Sequence, residues 1–486
     1  MKKFFNSLTD NKTLFHFLSL VFIFFATLTL YLRLGRDPLF NWDEGIYAEL
    51  GVEALKLHHW LTPTWNYQLW LEKPPGIAWT TALGIKLWGI NHFGARFFMP
   101  LFAGLTLFFV YSIGKRLKDS YLGLLATLLM ANMNLFLSRA RAVNTDGALL
   151  VGIVATVYLA MIDAAPWLVA LAIAFSVFFK GLAGFLSLII ALPLLITKPK
   201  KYMLRATCYM LLFILPWHLY QLIVNGDQFL TPYFKEQVLR RVTVPIEFHL
   251  ESKWYYFRYL YQNLGITWIF LLVLGLLFLV PKLRSPVAGR WSLVTLIWWL
   301  FFPLVLFTLA KTRLFWYILP VYPAVALIIA YLLHSLTDYH SLSKQTLLIF
   351  LPLYTLFSFQ QLFHHIDFNR YQTQWPDRVI LAQQASQLTS SGLAVFVPAS
   401  ERLAYAILPS NQRISSSFRY GGAPNLVFYA QQPITYFYDL DQLKQSLSSY
   451  SFLILHRDDY HQLSPFSSRI IKEQGDYLLI QLNHGK

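Results

Sequence analysis

Cysteine is nearly absent: Cys208 is the single one in 486 residues, and it sits inside an apolar run. One thiol supports neither a disulfide framework nor a zinc–thiolate cluster. Charge is scarce too, at 13% of residues, against roughly 25% in a soluble globular chain. Acidic residues are the scarcer sign, 24 against 40 lysines and arginines, which leaves a formal net charge of +16. Internal repeats, low-complexity segments and a glycine-rich nucleotide-binding motif are also missing. What fills the chain instead is apolar: 56% of residues are hydrophobic and 17% aromatic.

Length alone suggests about three domains of roughly 150 residues, but the apolar runs override that expectation. A helix crossing a bilayer needs about 20 mainly apolar residues. Such runs lie near 14–33, 95–114, 120–137, 148–163, 166–180, 182–197, 203–222, 262–280, 291–310, 314–334 and 345–360. They predict an α-helical polytopic membrane protein with about 11 transmembrane helices. The transmembrane domain covers 1–363, with external loops at 34–94 and 225–262, and a polar tail follows at 364–486. Residues 76–91 are apolar but short and contain Lys86, so they read as an interfacial helix. In the tail, helices are expected at 378–388 and 441–449. Strands are expected at 393–397, 425–429, 434–438, 452–455 and 477–482. That alternation predicts a small α/β domain.

Orientation follows from the short loops. Lys115, Arg116 and Lys118, then Lys198, Lys200 and Lys201, then Lys282, Arg284 and Arg290 all fall on one face. Cytoplasmic loops collect Lys and Arg, so that face is cytoplasmic. Met1–Lys12 is short and polar on the same side, and the first apolar run lacks a small-residue cleavage site. It reads as a retained span, not a cleaved signal peptide. The chain is thus expected in the plasma (inner) membrane, multi-pass, with a cytoplasmic N-terminus and an extracytoplasmic C-terminal domain. The net positive charge belongs to this topology and in part to anionic substrates, and no nucleic-acid partner is expected.

Several polar clusters fall on the external side. The first is Asn41-Trp42-Asp43-Glu44-Gly45-Ile46-Tyr47-Ala48-Glu49, where Tyr47, Leu50, Ala54 and Leu57 recur at helical spacing. A surface helix therefore starts near Asp43. Asn41 and Glu44 have capping-box spacing, and an acid at a helix start suits the dipole; capping and catalysis both remain open for this cluster. Glu72-Lys73-Pro74-Pro75-Gly76 is either a stiff proline turn with solvated charges or a rigid frame presenting them. Arg139, Arg141 and Asp146 sit at the outer end of a span, where charges also serve as interfacial anchors. Arg240 and Arg241 precede His249, and a lone loop histidine is more often structural than a metal ligand. Lys311, Arg313 and Tyr317 complete the set.

Cations clustered at a membrane surface suit a lipid-borne phosphate, because guanidinium and ammonium groups hydrogen-bond its oxygens. A nearby carboxylate can take the proton from an acceptor hydroxyl as a sugar leaves that phosphate, which is worth about 10²–10⁴-fold. Cationic groups would stabilise the charge growing on the departing phosphate.

From residue 41 to about 325 these motifs, in this order and spacing, resemble the GT-C glycosyltransferases of the protein O-mannosyltransferase and aminoarabinose lipid A transferase superfamily. Asp43-Glu44 with Tyr47-Ala48-Glu49 looks like the family's first-loop acidic motif, and Glu72-Lys73-Pro74-Pro75 matches a specific marker. Thr145-Asp146, Lys180-Gly181, Pro216-Trp217 and the stretch Lys311 to Pro320 also match. The resemblance implies a polyprenyl-phosphate sugar donor and inverting transfer outside the cytoplasm, to an acceptor lipid, glycan or protein. It implies Asp43 as catalytic base with Glu44 beside it, and Asp146 as a second acid. Lys73, Arg240 or Arg241, Lys311 or Arg313, and Tyr317 would serve the donor phosphate. Glu72 and His249 match positions that hold a metal ion in aminoarabinose transferases, although two ligands are too few for a protein-made site. Two departures stand out: Gly45-Ile46 replace the family's frequent arginine, and Leu314-Phe315-Trp316 follow Arg313.

Two other functions compete. A transporter or flippase of polyprenyl-linked sugars places ionisable groups near the bilayer midplane, often in repeated halves; here no halves repeat and the charges sit at outer helix ends. A non-catalytic scaffold with a glycan-binding external domain is the third.

Overall fold

The structure, a computed structural model, describes residues 12–246, 249, 251–284, 289–337, 353, 376–390, 392–407, 417–463 and 468–482. The chain forms two compact units built from non-adjacent segments. The first unit comprises residues 1–34, 96–227 and 250–370, and the second comprises 35–95, 228–249 and 371–486. The boundary expected at 363/364 lies outside the described residues.

The first unit is helical. Among the described residues seven helices are long and apolar enough to cross a membrane: Lys12–Thr29, His92–Leu117, Pro166–Leu195, Lys200–Asn225, Ile266–Leu283, Arg290–Leu309 and Phe315–Thr337. Ser120–Ala131 and Thr145–Met161 are shorter and apolar. The protein is therefore a multi-pass membrane protein, since a helix satisfies its own backbone in hydrocarbon. About 11 spans are not reached among these residues. The run at 345–360 lies outside them, and residues 166–195 count once by length and composition. Inside that stretch the chain turns at Gly181, φ 58, into the short turn Gly181–Phe185. A Cβ on Gly184 would lie 2.3 Å from the Val177 backbone nitrogen, so Leu186–Leu195 folds back toward Pro166–Lys180. Small residues let other helices approach as closely: a Cβ on Gly104 would meet Thr27 Oγ1 at 2.4 Å.

The second unit joins residues 35–95 and 228–249 to the C-terminal segment. Helix Asp43–Leu57 packs against helix Gly76–Trp88, which at 13 residues is too short to span. At their crossing a Cβ on Gly51 would lie 2.4 Å from Thr81 Oγ1 and 2.7 Å from the Ala82 backbone nitrogen. Strands β1 (Thr64–Trp65) and β2 (Gln68–Leu69) form a hairpin between the two helices, turning through Asn66 and Tyr67 at φ 55 and 61. Asp43–Leu57 is a buried helix, not the surface helix its spacing suggested: 11 of its 15 residues are buried. The stretch 225–262, expected as a hydrophilic loop, is largely helical, with a wide i→i+5 helix over Thr231–Arg240 and an α-helix over Tyr255–Leu264.

The C-terminal segment carries five strands: β3 (Leu393–Phe396), β4 (Ile434–Phe437), β5 (Phe452–His456), β6 (Ser468–Gln474) and β7 (Tyr477–Leu482). Their order is β4-β3-β5-β7-β6, parallel across β4, β3 and β5 and antiparallel beyond. Helices Asp377–Leu388 and Leu440–Ser446 match expectation. Asn425–Ala430, expected as a strand, is a helix. All six residues are buried, so neither period shows in the pattern.

Several hydrogen bonds and one close approach fasten this segment to residues 35–95. Asn41 Nδ2 donates to the Gly422 carbonyl at 2.7 Å. The Asn66 side chain donates to Ile434 O and accepts from Ile434 N, at 2.7 and 2.8 Å, extending the edge of β4 as a strand would. Tyr429 Oη accepts from Leu39 N at 2.7 Å. A Cβ on Gly45 would stand 2.4 Å from the Asn425 Cβ.

Alanine at Gly51 would gain up to about 1 kcal/mol in helix propensity, yet it would press on the Ala82 backbone, and overpacking costs about 1–3 kcal/mol. The clash wins. Gly51→Ala is expected to lower the melting temperature in detergent by several degrees, as read by intrinsic-fluorescence thermal denaturation.

Candidate active site

Asp43 is the first residue of its helix, and Trp42 before it holds φ 66, ψ −124, a conformation seldom adopted by a non-glycine residue. Such strain persists where the surroundings impose it, often at functional positions. The Trp42 N–H donates to Asn41 Oδ1 at 3.0 Å, and its carbonyl accepts from Ile46 N at 2.9 Å. The capping box does not form: the residue at the cap is Trp42, with no side-chain bond. Glu44, 2% exposed, turns back to accept from Phe40 N at 2.8 Å. Asp43 is half-buried in the first helical turn, where the dipole favours a carboxylate. None of the hydrogen bonds or ion pairs found among the described residues engages it.

Tyr47, one turn on, shares the face of Asp43. Its hydroxyl accepts from Lys73 Nζ in a short hydrogen bond, and that ammonium also lies 4.7 Å from the Tyr47 ring centroid. The helix start and the Glu72-Lys73-Pro74-Pro75 frame are thus joined inside one unit. Glu72 is held at both oxygens: Oε1 accepts from Tyr420 Oη at 2.8 Å and Oε2 from Gln237 Nε2 at 2.7 Å. Tyr420 Oη in turn accepts from Trp70 Nε1 at 2.7 Å.

Arg240 pairs with Glu236 at 3.7 Å on the wide helix. His249 lies in the same unit. Burial, and behind it the Arg241 charge, hold its imidazole below its usual range, so it is neutral at pH 7. With Glu72 it is the expected metal pair. Both Glu72 oxygens already accept hydrogen bonds, and among the described residues no three His, Cys, Asp or Glu side chains converge as a metal site. A protein-built zinc site takes at least three such ligands. The described residues alone therefore do not complete a protein-built zinc site.

In the first unit most of the expected residues are engaged internally. Asp146, 3% exposed, pairs with Lys180 at the start of Thr145–Met161, whose cap is Asn144 accepting from Gly147 N at 2.8 Å. The Lys180 ammonium lies 5.4 Å from the Tyr317 ring centroid. Arg313, 6% exposed, donates to the backbone carbonyls of Glu251 and Thr308. Arg141 donates to Leu30 O and Leu32 O at 3.0 and 2.9 Å, closing the first span. Arg139 stacks 4.4 Å from the Trp316 ring centroid. Lys311 is exposed.

Sequence reasoning missed Trp70, Gln237 and Tyr420, which hold Glu72, and the burial of Glu49 and Glu53. These two acids lie one turn apart, each 0% exposed. Burial first, and then the neighbouring Glu53 charge, push the Glu49 carboxyl well above its ordinary range. Burial also raises Glu53, opposed by the hydrogen bond from the Tyr67 N–H, which lies 3.0 Å from Oε1.

Comparison with known proteins agrees with this architecture. The sequence model of the family described as dolichyl-phosphate-mannose-protein mannosyltransferase matches residues 72–220. An uncharacterized protein of Aquifex aeolicus is 29% identical over 318 residues, 62% of this chain and 61% of its own length. An undecaprenyl phosphate-alpha-4-amino-4-deoxy-L-arabinose arabinosyl transferase of Pseudomonas fluorescens is 28% identical over 344 residues, covering 66% of this chain and 59% of its own. The chain thus spans about six-tenths of the length of these curated relatives. The same fold occurs in ArnT from Cupriavidus metallidurans bound to undecaprenyl phosphate, at a TM-score of 0.73 and 17% identity over 95% of this chain and 97% of that one. It occurs also in the archaeal oligosaccharyltransferase AglB from Archaeoglobus fulgidus, at 0.56 and 12% over 92% and 70%.

The buried acids carry a pH signature. A carboxyl raised in the folded state binds more protons there than in the unfolded chain, so stability falls as pH rises from the ordinary carboxyl range toward the raised value. The melting temperature is expected to drop between pH 5 and pH 8 measured in one detergent, and Glu49→Gln to flatten that slope. An unchanged slope would mean that Glu49 is ionised in the fold.

Proposed function

We propose, for a chain that belongs to the GT-C membrane glycosyltransferase superfamily of the protein O-mannosyltransferases and aminoarabinose lipid A transferases, that it moves a sugar from a polyprenyl-phosphate donor to an acceptor on the extracytoplasmic face of the inner membrane. The observation that carries this reading is the joining of Asp43, not engaged by any described partner, to Lys73 through Tyr47, one turn along the same helix. A carboxylate able to take a proton and a cation able to hold a phosphate are what transfer from a phosphate leaving group requires.

In this mechanism Asp43 accepts the proton of an acceptor hydroxyl on a lipid, glycan or protein. The freed oxygen forms its bond to the anomeric carbon on the side opposite the phosphate. As it does so, the bond from that carbon to the phosphate oxygen breaks, and the electron pair leaves on the polyprenyl phosphate. Lys73 neutralises the departing charge, with Arg240 or Arg241 as the further cation of the same unit. One displacement inverts the anomeric configuration. Glu44 braces the helix start through Phe40 N, and Asp146 and Arg313 brace helix ends. The relatives named as undecaprenyl-phosphate aminoarabinose transferases support a polyprenyl-phosphate donor. The lysine and arginine bias of the short loops supports a cytoplasmic N-terminus and an external C-terminal domain.

The test uses radiolabelled polyprenyl-phosphate sugars with right-side-out and inverted vesicles. Donor presented on the external face is expected to be consumed, with label appearing on an acceptor. Lys73→Met removes a charge-assisted hydrogen bond worth about 1.5–3 kcal/mol, so the donor KM is expected to rise at least about tenfold. Label crossing the membrane on intact donor would replace transfer with transport.

A further inference from the structure

Glu72 precedes the phosphate-binding lysine by one residue, and its half-buried carboxylate is held from two sides. The C-terminal segment and the wide helix each supply one donor to it, Tyr420 Oη at 2.8 Å and Gln237 Nε2 at 2.7 Å. Tyr420 itself has little freedom. It is 4% exposed, its ring packs edge-on to Trp65 at 4.8 Å between centroids, and its oxygen accepts from Trp70 Nε1 at 2.7 Å. Since the indole uses the oxygen as acceptor, the single hydroxyl proton is left for Glu72. Gly421 and Gly422 follow at φ 58 and 68, a reversal that returns the chain toward Asn41, whose Nδ2 donates to Gly422 O. Beside Tyr420, Arg419 donates to Leu69 O at 2.9 Å, tying the hairpin to the same segment.

These bonds close a ring. From Tyr420 one path runs through Glu72 into Lys73, and on to Tyr47 by the short hydrogen bond. The other runs through Trp70, whose ring meets Tyr47 edge-on at 6.1 Å between centroids. Pro74 and Pro75 stiffen the chain just beyond, so fixing the Glu72 carboxylate fixes the backbone from which Lys73 departs.

We propose that Tyr420 is a positioning residue for sugar transfer: its hydroxyl, through Glu72, sets where the Lys73 ammonium meets the donor phosphate. The C-terminal domain is then a working part of the donor site and not a separate glycan-binding module. This rests on the reading of Lys73 as the phosphate-holding residue.

The test is a double-mutant cycle on binding of a polyprenyl monophosphate, undecaprenyl phosphate, to the full chain in nanodiscs. Tyr420→Phe keeps the ring and its packing and removes only the hydroxyl. It is expected to weaken binding about tenfold, and Lys73→Met at least as much. If Tyr420 acts through Lys73, the double variant binds within twofold of Lys73→Met alone, because coupled residues are not additive. A purely structural role predicts instead that the two losses multiply, and that result overturns the proposal. So does wild-type affinity in Tyr420→Phe while Lys73→Met is weakened. If Tyr420→Phe does not fold, the same cycle is run with Gln237→Met, which frees the other oxygen of the same carboxylate; wild-type affinity there equally overturns it. Lys73→Met binding as tightly as wild type would remove the reading of Lys73 itself, and the role of Tyr420 with it.

Discussion

The close approach of one helix to two neighbours is the constraint on which the candidate site depends. Asp43–Leu57 carries glycine at both crossings, Gly45 against Asn425 and Gly51 against Thr81 and Ala82, and a Cβ at either would fall 2.4 Å from a neighbouring atom. Without side chains there, helix backbone meets helix backbone, and residues 35–95 pack with the tail into one body. Asp43 and Tyr47 are placed by that packing. So is Thr81, whose hydroxyl donates to the Tyr47 carbonyl at 3.1 Å.

Within this frame the acids that the sequence singles out divide by their surroundings. Glu44 accepts a backbone N–H, Glu72 accepts from Tyr420 and Gln237, and Asp146 pairs with Lys180. Each of these carboxylates has a partner within the fold. Burial raises Glu49 and Glu53 instead, which suits neutral acids in a packed interior. Asp43 differs in being half-buried, at a helix start and behind a strained residue. A carboxylate in that setting, engaged by none of the described partners, is available to take a proton. The cations divide in a parallel way: Arg141 and Arg313 donate to backbone carbonyls, whereas Lys73 turns onto a tyrosine hydroxyl on the helix of Asp43.

Much of this was legible in the sequence where the signal is local. Asp43-Glu44 at the start of a 3.6-residue period announced the helix, Lys73-Pro74-Pro75 announced a rigid frame, and the long apolar runs announced the spans. Long-range partners left no such trace. Tyr420 meets Trp70 across 350 residues, and nothing in Arg419-Tyr420-Gly421-Gly422 names its partner. The one-turn spacing of Glu49 and Glu53 gives no sign of their burial, which leaves each 0% exposed. Asn425–Ala430 misled for the opposite reason, because burial on every side erases the period that separates helix from strand. Arg313 gave no sign of its backbone partners, because a cation at a span end looks alike whatever it meets.

The account stands on Asp43 being the base while the other acids that the sequence singled out hold structure. The most direct measurement is the single-turnover rate at saturating donor, with donor affinity and the yield of folded protein, for Asp43→Asn, Glu44→Gln and Asp146→Asn side by side. Asp43→Asn alone should lose the chemical step, by about 10²–10⁴-fold, at unchanged affinity and yield, while the other two lose folded protein and keep their rate per folded molecule. A chemical step that survives in Asp43→Asn, or that disappears in well-folded Glu44→Gln or Asp146→Asn, would contradict it.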